Sequence, residues 1–562
     1  MRSILTEQRG LPSLAPAPAP PRPVRLPSGW TIAALAAAAL VAGPIVAVLA
    51  GAAAPAGPVW RQLAETVLAE FVLNSVLIAG GTALLAIAIG TVTAWLVTMH
   101  RFPGRGVFEV ALLLPLAMPT YLIGYVYTDL LDVIGPVQTW LRATFDLRFG
   151  QYWFPEVRSP GGAILMFGLV LYPYVYLLCR AAFLEQSVCL AEVARTLGCS
   201  RLAMIRRVAL PLARPAIAGG AALAVMEALA DFGTVQHFAV RTFTTGIYQA
   251  WFHMGDRTAA LQFAACLMGV VAMLLLFERV ARGPRRFFNT SSKHQALVPE
   301  PLGGVGAALA ILACGLPVLL GFVVPAGRLA LLGLSGGDSP GAVLPFARNS
   351  ITLAALAALA AVAVALVMAY GARLRPTVAL RGAVTVASLG YAIPGSVIAV
   401  GVLVPFGLFD NAVDSWMRAR FGVSTGLLLS GTMAALVFAY VVRFLAVALS
   451  TLEAGLARIR PSVEDAARVL GRGPGGSLAA VHLPLIRGSL LSAALLVFVD
   501  TMKELPATLI VRPFDFDTLA VRVYNLASDE KLAQASTAAL LIVLAGLVPV
   551  VILARAMRRS GH

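Results

Sequence analysis

Runs of about 20 mostly apolar residues, separated by short polar segments, recur along the whole chain, and a run of that length crosses a hydrocarbon layer as an α-helix. The pattern predicts about twelve spans. Six lie near 30–52, 72–98, 107–128, 161–182, 215–238 and 258–280, and six near 304–326, 349–372, 382–408, 425–449, 486–510 and 534–556. Before the first span, Leu14 to Pro27 are rich in Pro and Ala and read as a disordered tail. Small residues end the first span (Gly51 to Ala54), as before a signal-peptidase site. Its late start and the even count it completes favour a retained helix.

Composition agrees. Of 562 residues 59% are hydrophobic and 12% charged, against about a quarter charged in soluble domains. A soluble enzyme, a disordered chain and a disulfide-stapled secreted domain are excluded. The 43 basic and 27 acidic residues give a net charge of +16, which the loops explain. Arg101, Arg105, Arg195, Arg206, Arg207, Arg285, Arg286, Arg373, Arg381, Arg458, Arg468 and Arg558 all fall on one side of the predicted spans. By the positive-inside rule that side, with both termini, is cytoplasmic. The surplus is a topology signal, and no nucleic-acid partner is expected. Cys179, Cys189, Cys199, Cys266 and Cys314 form no CxxC and are read as packing residues.

The chain repeats itself. Glu192, Ala194, Arg195 and Gly198 precede Leu210-Pro211, and Asp465, Ala467, Arg468 and Gly471 precede Leu483-Pro484, each 273 positions later. Asn74-Ser75 and Asn349-Ser350 recur at 275. The fold expected is all-α and polytopic, two tandem parallel six-helix repeats. Its divisions are a tail 1–28, a first half 29–281 with its loop at 185–213, a cytoplasmic linker 282–301, a second half 302–557 with its loop at 453–486, and a tail 558–562. In each loop an apolar helical face (Leu190, Val193, Ala194 and Leu197 in the first) leads to a glycine suited to a left-handed turn. Ser200 and Ser477 are expected to cap the helix that follows. Each loop then reads as a helical elbow, or as an amphipathic connector on the membrane surface.

Ionisable groups inside spans are costly and by default functional. Glu227 and Asp231 are four apart on one helical face, and so are their repeat equivalents Asp500 and Glu504. These carboxylates suit a pathway for hard cations. The structural alternative pairs Lys503 with Asp500 and gives Glu227 a hydrogen bond to a neighbouring helix. Tyr172, Tyr174 and Tyr176 are spread around a helix and read as interface anchors. Pro115, Pro119 and Pro394 are expected to kink spans.

The acidic-Ala-Ala run Glu464-Asp465-Ala466-Ala467, then Gly471 and Leu483-Pro484, with its first-half counterpart from Glu192, resembles the EAA loop of binding-protein-dependent ABC transporter permeases (MetI-like fold). The likeness runs from about Asn74 to Val280 and from Asn349 to Arg555. Ala230 to Phe238, Thr242 to Trp251, Lys503 to Leu509 and Phe516 to Ala520 narrow it towards the ferric iron transport permeases, with the fused thiamine permeases as nearest rival. The resemblance implies the bacterial inner membrane, a periplasmic binding protein that delivers cargo, and two copies of an ABC ATPase subunit. Each ATPase would take one elbow, carried by Glu192, Ala194, Gly198 and Pro211 or by Asp465, Ala467, Gly471 and Pro484. The cargo rests on resemblance alone.

Lys293, Lys503 and Lys531 follow Ser, Met and Glu, so no Gly-Lys-Ser/Thr phosphate loop exists. Gly333 to Gly337 fits GxSxG without a strand-turn-helix context. No catalytic residues, metal site or cofactor are expected. An ion-gradient-driven secondary transporter is the alternative of another class.

Overall fold

The computed structural model describes residues 29–184, 201–282, 300–374 and 377–560. Among these, 11 helices are long and apolar enough to cross a membrane, or up to 12 if a bent pair counts as one span. The first half contains α1 (Gly29–Ala52), α2 (Leu68–Met99), α3 (Thr120–Leu131), α4 (Pro160–Leu184), α5 (Leu210–Ala230), the short α6 (Gly233–His237) and α7 (Arg257–Arg282). The second contains α8 (Gly304–Gly336), α9 (Pro340–Leu374), α10 (Gly395–Phe421), α11 (Met433–Ala457), α12 (Pro461–Val469), α13 (Leu483–Met502), α14 (Pro506–Val511) and α15 (Leu532–Ser560). The tail 1–28, the linker residues 283–299 and the first elbow with Glu192, Ala194, Arg195, Gly198 and Ser200 lie outside the described residues.

Small side chains let the long helices approach. In α9 the stripe Leu353, Ala354, Ala357, Ala358, Ala361, Ala365 and Met368 is buried at three- and four-residue spacing. In α2 a methyl group on Gly90 would strike Val175 and the Tyr172 backbone of α4. The repeat is visible in hydrogen bonds as well. Asn74 Nδ2 donates to Arg241 O at 2.9 Å and Asn349 Nδ2 to Asp517 O at 3.0 Å, so each span-opening Asn pins a distant loop.

The two halves are tandem in sequence but interlocked in space. Ala34, Ala38, Val41 and Val48 of α1 join one core with Ala357, Val397 and Leu436 of the second half, and Trp30 meets Tyr370 edge to face at 5.1 Å. Conversely, Ala310, Cys314, Val318 and Leu329 of α8 share a core with Leu113, Leu122 and Phe167 of the first half.

Several expectations are corrected. The run at 107–128 is two segments, Arg105–Ala117 and Thr120–Phe145, bent by 90°. The run at 382–408 is likewise interrupted, and its span begins only at Gly395. Pro119 and Pro394 stand at the N-caps of α3 and α10, at the breaks of these two runs, so the expected kinks are full interruptions of the helix, 90° at Pro119. Pro115 sits in a short 3-10 turn, Leu114–Ala117. Tyr172 and Tyr176 are fully buried and therefore are not interface anchors.

Candidate functional site

The second elbow is built by its own sequence and held by α9. Pro461 opens α12, where the missing N–H costs nothing. Gly471, at φ +76°, makes the left-handed exit that Cβ-bearing residues avoid. Arg373 at the end of α9 clamps the corner: Nη1 donates to Leu456 O at 2.6 Å, Nη2 to Ile459 O at 2.8 Å, and Nε lies 3.3 Å from Glu464. Tyr370 OH donates to Pro474 O at 2.7 Å. Ala467 faces inward, whereas Asp465 and Arg468 face solvent, and Arg468 lies 3.5 Å from Glu464 and 3.7 Å from Asp465. Val469 and Leu470 are 88% and 79% exposed at the tip.

Ser477 is not the cap expected of it. Gly473 takes the N-cap position, with Pro474 behind it, and Ser477 is buried beside His482. The Leu-Pro signature has a backbone cause. Leu210 N donates to Ile205 O and Leu483 N to Leu478 O, each a π-helical turn immediately before the proline. The wider turn accommodates Pro211 and Pro484, whose rings would clash in a regular helix.

Where the halves meet, a cavity of about 100 Å³ is lined by Glu227, Asp231, Asp500 and Glu504, all four of the predicted carboxylates. Their partners divide them into two kinds. Asp231 accepts from Thr120 Oγ1 at 2.5 Å and Thr234 N at 2.8 Å. Glu504 accepts from Ala507 N at 2.9 Å, Thr508 N at 3.1 Å and Thr508 Oγ1 at 2.8 Å. These two side chains cap α6 and α14, where the helix dipole favours a negative charge. Glu227 instead accepts one bond, from Tyr391 OH at 3.1 Å, and Asp500 pairs with Lys503 at 3.0 Å. Both structural alternatives raised by the sequence are thus present as contacts, inside the cavity itself.

Lining residues that the sequence reading did not single out include Arg443, Tyr391 and Thr120, and Tyr174, read there as an interface anchor, lines the cavity instead. Arg443 lies 3.9 Å from Glu504, and among the described residues its Nη1 has no hydrogen-bond partner. It carried a signal, being an arginine within a predicted apolar run. A methyl group on Gly395 would collide with both Arg443 and Glu504, so the pair needs that glycine. Tyr391 and Thr120 carried none, because each reaches the cavity only through the helix break beside it. Among the described residues no three His, Cys, Asp or Glu side chains gather to hold a metal ion.

Residues 86–282 match the family model described as binding-protein-dependent transport system inner membrane component. The chain is 31% identical over 230 residues to a probable molybdenum ABC transporter permease of Haloferax volcanii, covering 40% of this chain and 80% of that protein. The chain belongs to the binding-protein-dependent ABC transporter permeases. This permease is also 28% identical over 502 residues to the Fe(3+)-transport system permease protein FbpB 2 of Haemophilus influenzae, covering 86% of this chain and 90% of that one. It is 28% identical over 222 residues to the molybdenum transport system permease ModB of Escherichia coli, 38% and 93% of the two chains. As an ABC permease it is a membrane transport subunit and not itself an enzyme, and permeases of this family work with ATPase and binding-protein partners.

Proposed function

We propose that this permease forms the whole translocation path of an inner-membrane importer for ferric iron delivered by a periplasmic binding protein. The observation that carries the reading is the cavity's charge: four carboxylates against two cations, Arg443 and Lys503. An acidic excess attracts hard cations and repels oxyanions. The match along nearly the full length of an Fe(3+) permease supports it. The molybdenum permeases among the relatives favour a second reading, an oxyanion cargo. Uptake by the reconstituted complex of radioactive iron against molybdate decides between them: iron accumulation is expected, and molybdate accumulation without iron overturns the reading. Glu227→Gln combined with Asp500→Asn should lower iron uptake at least about tenfold, the default weight of intramembrane charges being functional. Unchanged uptake would make the pair structural.

The elbows, at Glu192 to Pro211 and Asp465 to Pro484, serve as handles for two copies of an ATPase on the cytoplasmic side, where both termini also lie. Exposed Val469 and Leu470, next to the turn at Gly471, offer the apolar contact. Glu192, Ala194 and Gly198 take the same part in the first half.

A further inference from the structure

Asp231 and Glu504 are committed to capping backbone. That leaves Glu227 and Asp500, which are repeat equivalents and share a single flexible cation. Lys503 Nζ lies 3.0 Å from Asp500 Oδ1, and Glu227 lines the same cavity as this ion pair. The first-half equivalent of Lys503 is Ala230, which lines the same cavity. One ammonium therefore faces two carboxylates, and the pair is one positive charge short.

Lys503 is also the cavity cation that is able to leave. It stands at the C-cap of α13, beyond the regular helix. Its side chain is 31% exposed, on a four-carbon stem that swings without moving backbone. Arg443, at 12%, is instead wedged against Glu504 and the ring of Phe444. Resting on the cation-cargo reading above, we propose that Lys503 is a tethered counter-ion that occupies the cation position at Glu227 and Asp500 until a multivalent cation displaces it, and so excludes monovalent ions.

The physics is competition. A tethered ammonium is always present at high effective concentration. A sodium or potassium ion carries the same charge and gains nothing by replacing it, whereas attraction to the carboxylates grows in proportion to the charge of the incoming ion. A trivalent ion wins the exchange and a monovalent one does not. The repeat explains why one lysine suffices: a second at position 230 would neutralise Glu227 and remove the deficit that draws the cargo in.

The test uses the full permease–ATPase complex in liposomes, with sodium flux measured without cargo and iron uptake measured with binding protein and ATP. The wild type is expected to be tight to sodium. Lys503→Met should leak at least about tenfold faster, because both carboxylates lose the counter-ion they share and the site gains a net negative charge that Asp500→Asn would remove. Asp500→Asn with Lys503→Met should return to wild-type tightness and lose iron uptake. Lys503→Met as tight as the wild type overturns the proposal, as does a leaky double variant, which would make the lysine a steric plug. Should Lys503→Met not assemble with the ATPase, the double variant decides alone: retained iron uptake overturns the proposal and lost uptake with a tight membrane supports it. Failure of the cation-cargo reading is seen separately, as wild-type uptake of molybdate and not iron.

Discussion

Asp231 and Glu504 differ by one methylene, and the structure compensates for it. The shorter Asp231 takes a hydroxyl from Thr120, at the position where the second half has Gly395 and leaves room for Arg443 to approach the longer Glu504. Because both carboxylates cap helices, Asp231→Ala and Glu504→Ala should each cost about 1 kcal/mol of stability, read as a lowered unfolding midpoint in detergent. Glu227→Gln should stay within about 0.5 kcal/mol while impairing uptake, since it removes a charge and keeps the shape. His237, in α6 outside the spans, is held at about 4 by burial and by Arg158, with Asp132 opposing. A base whose folded pKa is depressed leaves the unfolded chain holding more protons between that value and about 6.5, so stability falls as pH drops through this window. His237→Gln should flatten that slope in unfolding midpoints taken from pH 7 to pH 4; an unchanged slope would assign it to other groups.

Helix breaks do much of the building. A 3-10 turn, Leu114–Ala117 or Leu389–Ala392, precedes each N-cap proline and delivers Leu116 or Tyr391 to the cavity, and a π-turn precedes Leu210-Pro211 and Leu483-Pro484. The elbow's Gly-to-Pro spacing was readable because backbone geometry demands those residues. The exposed tip was not, since exposure depends on Arg373 and Tyr370 arriving from α9, far away in sequence. Gly471→Val forces a Cβ into a left-handed turn at about 1–2 kcal/mol. It should uncouple uptake from ATP hydrolysis, with ATPase activity retained. Val469→Asp with Leu470→Asp should abolish co-elution with the ATPase on size exclusion, and intact co-elution would place the docking surface elsewhere.

For the whole molecule, the proposed orientation rests on arginine placement and is open to direct measurement. In a cysteine-free background, a single cysteine at Gly150 should react with an impermeant maleimide from outside intact cells and one at Gly475 only after permeabilisation. Both reacting from one side would overturn the topology. The sequence by itself determined the number and type of spans, the tandem repeat, the elbow glycine and the four carboxylates, because span length, backbone sterics and the cost of buried charge act locally and leave marks at fixed spacing. Only the tertiary structure decided that α1 and α8 pack on the opposite half, that the carboxylates share one cavity, that two of them are caps, and that Arg443 and Tyr391 join Lys503 there. Those facts depend on which helices become neighbours, and small-residue packing between apolar faces leaves no periodic signal that names its partner.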